Sequence, residues 1–200
     1  MIALIDYGAG NLTSVRKGFA AAGAELYTPR LPADLASAEA IVVPGVGHFS
    51  ATAALHSEWR AGVRAALDRG AKLFGICLGL QWLFEGSDED TEVAGLGVIA
   101  GRCRRLPPTL KVPHVGWNSL DIRRPSRLLS GIASGTQAYF THSYAADVTP
   151  EAVALTTHAT EFAAVVETDQ LFGVQFHPEK SGTAGVQMLR NFVALCSRNG

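Results

Sequence analysis

Two hundred residues, 17 Lys and Arg against 18 Asp and Glu, and 48% apolar side chains describe one domain, residues 1–200, with a full-sized core. A formal charge of −1 leaves no basic excess to neutralise a phosphate backbone or grip an anionic bilayer, which excludes nucleic acid and membrane as partners. The well-separated Cys77, Cys103 and Cys196 make neither a disulfide framework nor a CxxC zinc pair, so a reducing, cytoplasmic setting fits best.

The chain opens on the apolar run Ile2–Ile5, which reads as a core strand rather than a leader because Asp6 follows at once and no basic segment precedes it. No window approaches the roughly 18 unbroken apolar residues that would cross a bilayer. From Leu12 the residues Val15, Phe19 and Ala22 recur at helical spacing and stop at Gly23. A second strand at Ile41–Val43 leads to a long amphipathic helix over Ala51–Leu67, closed by Gly70, and a third strand occupies Lys72–Ile76. Strand, helix, strand in this order predicts βαβ units around a mostly parallel sheet.

Between Cys103 and Ser130, Pro107, Pro108, Pro113 and Pro125 exclude long helices and leave short β-like pieces. The arginines around Arg102–Arg105 and Arg123–Arg127 read as a solvated rim rather than a partner patch. Further short strands are expected at Gln137–Thr141, Val153–Thr157, Ala163–Glu167 and Leu171–Phe176, and Ala184–Ser197 closes the chain as an amphipathic helix. The fold class is therefore α/β: a three-layer sandwich with a mostly parallel central sheet, flanking helices and a small antiparallel region.

Chemistry concentrates at two places. KLFGICLGLQ, residues 72–81, runs a strand into Gly75, Cys77 and Gly79 and then into apolar helical residues. In a GxCxG turn of this kind the nucleophile occupies a tight strand-to-helix elbow, and flanking side chains would collide with neighbouring elements. A thiol there meets the positive end of the helix dipole, and the Leu78 N–H is placed to serve an oxyanion. Taken alone, Cys77 is also readable, though less readily, as a small core residue between packing glycines.

LFGVQFHPEK, residues 171–180, ends a strand on His177, Pro178 and Glu179. Positions i and i+2 of an extended segment face one way, so imidazole and carboxylate lie side by side if Pro178 keeps the backbone extended. A thiol nucleophile needs such a base, and the base needs a carboxylate to fix its tautomer. The other histidines, His48, His56, His114, His142 and His158, form neither HxH nor HExxH spacing, so no metal is expected, and no cofactor. GAGN after the first strand lacks the third glycine of a dinucleotide loop.

GICLGLQ with Cys77 and GVQFHPEKS with His177 and Glu179 resemble the two signatures of the triad-type (class I) glutamine amidotransferases. Within that family DYGAGN (6–11), PGVGHF (44–49), PHVGWN (113–118) and YFTHSY (139–144) resemble the glutaminase-subunit branch that serves imidazole glycerol phosphate synthases in histidine biosynthesis. The resemblance implies a Cys77, His177, Glu179 triad that hydrolyses L-glutamine. It also implies an oxyanion hole from Leu78, Val46 and Gly47, and a substrate pocket from Gly45, Gln81, Ser143 and Tyr144. A separate (β/α)8-barrel cyclase subunit follows as heterodimer partner, contacted through Gly10, Asn11, Trp117, Tyr139 and Lys180. Thr141 stands where the family commonly has an apolar residue, which bears on the pocket wall.

Overall fold

A computed structural model describes residues 1–197. Four strands come first: β1 (Ile2–Leu4), β2 (Leu26–Tyr27), β3 (Ala40–Val43) and β4 (Lys72–Ile76). Seven shorter or more exposed strands follow: β5 (Gly86–Ser87), β6 (Asp90–Ala94), β7 (Arg102–Arg105), β8 (His114–Ser119), β9 (Asp121–Ile122), β10 (Gln137–His142) and β11 (Tyr144–Ala146). The last three are β12 (Ala152–His158), β13 (Thr160–Glu167) and β14 (Leu171–Val174). The helices are α1 (Leu12–Ala21), α2 (Ser57–Asp68), α3 (Leu78–Leu83) and α4 (Gly182–Cys196).

An eight-stranded sheet runs in the order β2-β1-β3-β4-β14-β13-β12-β9. Its half from β2 to β14 is parallel, and the half beyond β14 is antiparallel. Side-chain parity explains why both faces are covered. Leu4, Val42 and Phe74 point to the layer that holds Val15 and Phe19 of α1 and Met188, Leu189 and Phe192 of α4. Their neighbours Ala3, Ile41, Val43 and Leu73 point the other way, onto Val63 and Ala66 of α2 and Leu80 and Leu83 of α3. Two smaller sheets, β8 with β10 and β11-β7-β5-β6, complete the fold. Among the described residues no helix is long and apolar enough to cross a membrane.

Two sequence expectations need correction. The helix expected over Ala51–Leu67 is broken: a 3-10 turn covers Phe49–Ala54, and α2 begins only at Ser57. Burial of Phe49, Thr52 and Leu55 sets the path of this segment, Thr52 Oγ1 donating to the Phe49 carbonyl and Arg60 Nε to the Leu55 carbonyl. The second correction concerns residues 178–180, which form a 3-10 turn rather than an extended end. Proline suits the first position of a helical turn as well as it suits a strand end, because its fixed φ is helical.

Candidate active site

The two signatures meet because β4 and β14 are adjacent parallel strands, in register at Gly75 with Gly173 and Ile76 with Val174. Cys77 and His177 thus emerge from the same carboxyl end of the sheet, where ligands of open α/β sheets bind. Cys77 sits at φ 53 and ψ −104 between β4 and α3, a left-handed conformation that a non-glycine residue adopts only when its surroundings enforce it. The enforcement is close approach. A Cβ on Gly79 would overlap the Val43 carbonyl oxygen, and one on Gly75 would lie 2.5 Å from the Gly79 carbonyl oxygen. The thiol is nearly enclosed, at 4% exposure, with its Sγ 3.9 Å from the Thr141 carbonyl.

His177 Nδ1 donates to Glu179 Oε1 at 2.8 Å, with the two side chains 2% and 3% exposed. Burial disfavours the charged imidazole, yet hydrogen bonding and charge from Cys77 and Glu179 outweigh it and raise the pKa of His177 to about 10. His177 Nε2 and Glu179 Oε2 have no hydrogen-bond partner. His177 interacts with the Cys77 thiol, yet its Nε2 makes no closed hydrogen bond to it, a looseness common before substrate arrives. The turn itself is anchored from the hairpin of β8 and β10. His177 N donates to the Tyr139 carbonyl at 2.9 Å, and Ser181 Oγ accepts from Tyr139 N at 3.0 Å and donates to the His177 carbonyl at 2.6 Å.

A cavity of about 270 Å³ opens over Cys77, lined also by Gly47, Leu78, Gln81, Glu89, Pro113, Thr141, His142, Ser143 and Tyr144. It lies just below the usual range for drug-sized ligands, so it suits a free amino acid better than a peptide segment. Gln81 Nε2 donates to the Tyr144 carbonyl at 2.8 Å and to Gln175 Oε1 at 3.2 Å. Both of its protons are thus committed, and only the Gln81 carbonyl oxygen remains to meet a ligand. The Ser143 and Tyr144 carbonyls are engaged as well, the first by Leu106 N at 2.9 Å and the second also by His142 Nδ1 at 2.9 Å. Burial and the neighbouring His114 push the pKa of His142 down to about 3.

The expected oxyanion donors are not assembled. Leu78 N–H points at the Gly45 carbonyl, 3.3 Å away, so it is occupied by the very loop that should join it. Gly45 and Val46 do not line the cavity, and Val46 faces outward. The loop is held from beneath: Tyr7 Oη donates to the Pro44 carbonyl at 2.7 Å, and a Cβ on Gly10 would come within 3.1 Å of Gly45 Cα. Phe49 N, at the loop's far end, donates to Glu89 at 2.8 Å.

The expected contact residues divide. Trp117 and Tyr139 are cross-strand partners on β8 and β10, with rings edge to face at 6.0 Å, and Lys180 Nζ lies 5.9 Å from the Tyr139 ring. Trp117 is 57% exposed, which makes this cluster a free apolar surface with a cation beside it. Asn11 is exposed and caps α1, its side chain accepting from Ser14 N at 3.1 Å. The arginines are locally neutralised, Arg104 by Asp147, Arg123 by Glu161 and Arg127 by Glu167. A larger depression of about 610 Å³ beside Arg127 and Glu167 shares no lining residue with the Cys77 cavity. Sequence reasoning missed Glu89, Gln175 and Tyr7 at the site. The available signals were that Gln175 stands inside the same signature as His177 and that Tyr7 stands inside DYGAGN.

Comparison with known proteins agrees with this geometry. Residues 3–196 match the family described as Glutamine amidotransferase class-I. A curated relative from Moorella thermoacetica, named Imidazole glycerol phosphate synthase subunit HisH, is 44% identical over 203 residues, covering 100% of this chain and 97% of its own. One of the same name from Methanothermobacter thermautotrophicus is 45% identical over 196 residues, covering 98% of each chain. A solved structure described as a glutamine amidotransferase superposes with a TM-score of 0.77 over 98% of this chain and 99% of its own, at 19% identity, a likeness of fold.

Proposed function

This chain belongs to the class-I glutamine amidotransferase family, and from that premise we propose that it is the glutaminase subunit of an imidazole glycerol phosphate synthase. It hydrolyses L-glutamine to glutamate and ammonia, and hands the ammonia to a (β/α)8-barrel cyclase subunit of the histidine pathway. The observation that carries this reading is the buried His177–Glu179 pair beside an elbow cysteine that itself lines a cavity of amino-acid size.

In this mechanism Cys77 gives its proton to His177 Nε2 and the sulfur attacks the glutamine carboxamide carbon. The tetrahedral oxyanion is held by the Leu78 N–H together with an N–H of the Val46–Gly47 segment. The imidazolium, kept in its tautomer by Glu179, returns the proton to the departing ammonia and leaves a thioester on Cys77. Water, deprotonated by His177, then releases glutamate. Gln81 oxygen and the Glu89 carboxylate, both at the cavity, are the acceptors for the substrate's ammonium and carboxamide hydrogens. We infer that residues 1–200 carry out this reaction as a single domain.

The Leu78 N–H must leave the Gly45 carbonyl before it can serve an oxyanion, so the isolated chain is a poor glutaminase. The Trp117, Tyr139 and Lys180 cluster supplies a docking face, and its backbone bonds to the His177 turn tie that face to the triad. The test is glutamate release by the purified chain with and without the cyclase and its nucleotide ligand. Acceleration on adding both is expected, and equal rates would overturn the partner-activated reading. Cys77→Ala should abolish glutamine-dependent synthesis and spare ammonia-dependent synthesis by the complex. Loss of both would show that the complex, rather than the chemistry, had been broken.

A further inference from the structure

Beside the nucleophile lies a buried side chain that the mechanism above does not use. Gln175, one residue beyond β14, has no exposed surface. Its carboxamide orientation follows from a chain that begins at an atom with a single role. The Tyr144 carbonyl can only accept, so the Gln81 atom 2.8 Å from it is Nε2. That nitrogen also donates to Gln175 at 3.2 Å, so the Gln175 atom there is Oε1. Gln175 Nε2 is therefore the atom that faces Cys77 Sγ, at 3.6 Å. An amide in a fully buried position is costly unless both ends are satisfied, and here one of the two partners is the reactive sulfur.

We propose that Gln175 is a further catalytic residue: its Nε2–H donates to the Cys77 sulfur, fixing its direction and favouring the thiolate, while its Oε1 couples the nucleophile to Gln81 in the pocket wall. This deepens the glutaminase reading and rests on Cys77 being its nucleophile. A thiolate is a far better acceptor than a thiol, so a donor fixed 3.6 Å from Sγ favours the charged form most. In the step it assists, one proton passes from Cys77 Sγ to His177 Nε2, and Gln175 keeps both of its own. The ionisable groups around Cys77 come from separate elements. His177 and Tyr7 feel its charge, Glu179 pairs with His177, the neutral His142 of β10 lies beyond, and Glu89 shares the cavity wall. Gln175 is the donor among them that carries no charge of its own, and it holds the sulfur more strongly once the thiol is ionised.

The decisive measurement on the full chain is the pH profile of Cys77 alkylation by iodoacetamide, read by mass spectrometry, with glutamine protection as the site control. Gln175→Glu keeps the acceptor for Gln81 and replaces the donor by a carboxyl whose charge opposes a thiolate, so Gln175→Met is the variant that isolates the donor. Gln175→Met removes both at similar length. The midpoint of the profile should move up by about one to two pH units in each variant. The concentration of glutamine needed for protection should change more in Gln175→Met, which leaves Gln81 without one of its two acceptors, than in Gln175→Glu, which keeps it. An unmoved midpoint in either variant overturns the proposal, whatever happens to its melting temperature, since a purely structural role would not set that midpoint. In the wild-type chain, where folding is not at issue, one buried carboxamide NMR signal should shift as the thiol titrates, and none shifting would equally overturn it. Should wild-type Cys77 react without glutamine protection, the nucleophile reading fails instead, a different and recognisable result.

Discussion

Replacing Glu179 by Gln tests how much the buried carboxylate contributes to the proposed base. The pair is closed at 2.8 Å with both side chains almost wholly enclosed, so water cannot substitute for the missing charge. Removing one member of a buried ion pair costs about 3–5 kcal/mol. The amide oxygen still accepts from His177 Nδ1, which retains about 1 kcal/mol of neutral hydrogen bonding. The remaining loss, about 2–4 kcal/mol, corresponds to a fall in kcat/KM of roughly 30- to 900-fold. The amide nitrogen takes the place of Oε2, which has no partner in any case, so the substitution adds little strain of its own.

The assay is glutamate release by the stimulated complex, beside His177→Ala as the reference for complete loss of the base. A second readout follows from protonation. The pKa of His177 is raised to about 10, so its stabilising pairing is fully present below pH 6.5 and is lost as pH rises toward 10. The gap in melting temperature between wild type and Glu179→Gln should therefore be widest below pH 6.5 and close on the alkaline side. Wild-type kcat/KM in the variant would refute the orienting role. A loss as large as that of His177→Ala would refute the estimate from the other direction, because it would make the carboxylate as necessary as the base it orients.

Two further expectations concern the scaffold. Gly79→Ala would drive a methyl group into the Val43 carbonyl, and neither β3 nor the first turn of α3 can yield, so a loss of at least about 3 kcal/mol is expected. Thermal unfolding checks this, and a melting temperature close to wild type would show the elbow to be less tightly packed than its geometry indicates. The second is acid sensitivity. Burial holds His142 and His114 neutral, with pKa values lowered to about 3 and about 4, so the unfolded chain takes up protons below pH 6.5 that the folded chain refuses. Stability should fall by about 3 kcal/mol between pH 6.5 and 5, or roughly 6–12 °C in melting temperature. This window lies above the carboxylates and below the range in which His177 changes its contribution. A flat melting temperature across it would mean that these two rings accept protons within the fold.

The residues themselves carried much of this protein. Near-continuous apolar runs at Ile41–Val43 and Lys72–Ile76 specify strands buried on both faces, because a parallel sheet between two helical layers covers both faces of each strand. Gly75, Cys77 and Gly79 specify the elbow, since their spacing has a steric cause within a few residues. The nearness of His177 to Glu179 was legible too, although the reason differed: a proline-started turn, not an extended end, brings them together. Tertiary structure alone decided the rest. Leu78 N–H is held by Gly45, Glu89 reaches the loop at Phe49, and Gln175 meets Cys77 across 98 positions of sequence. Each is a hydrogen bond between chain segments brought together by sheet order, and such a bond leaves no periodicity or local propensity to read. Local sterics thus placed the nucleophile, and long-range backbone pairing decided which donors surround it and which are held away.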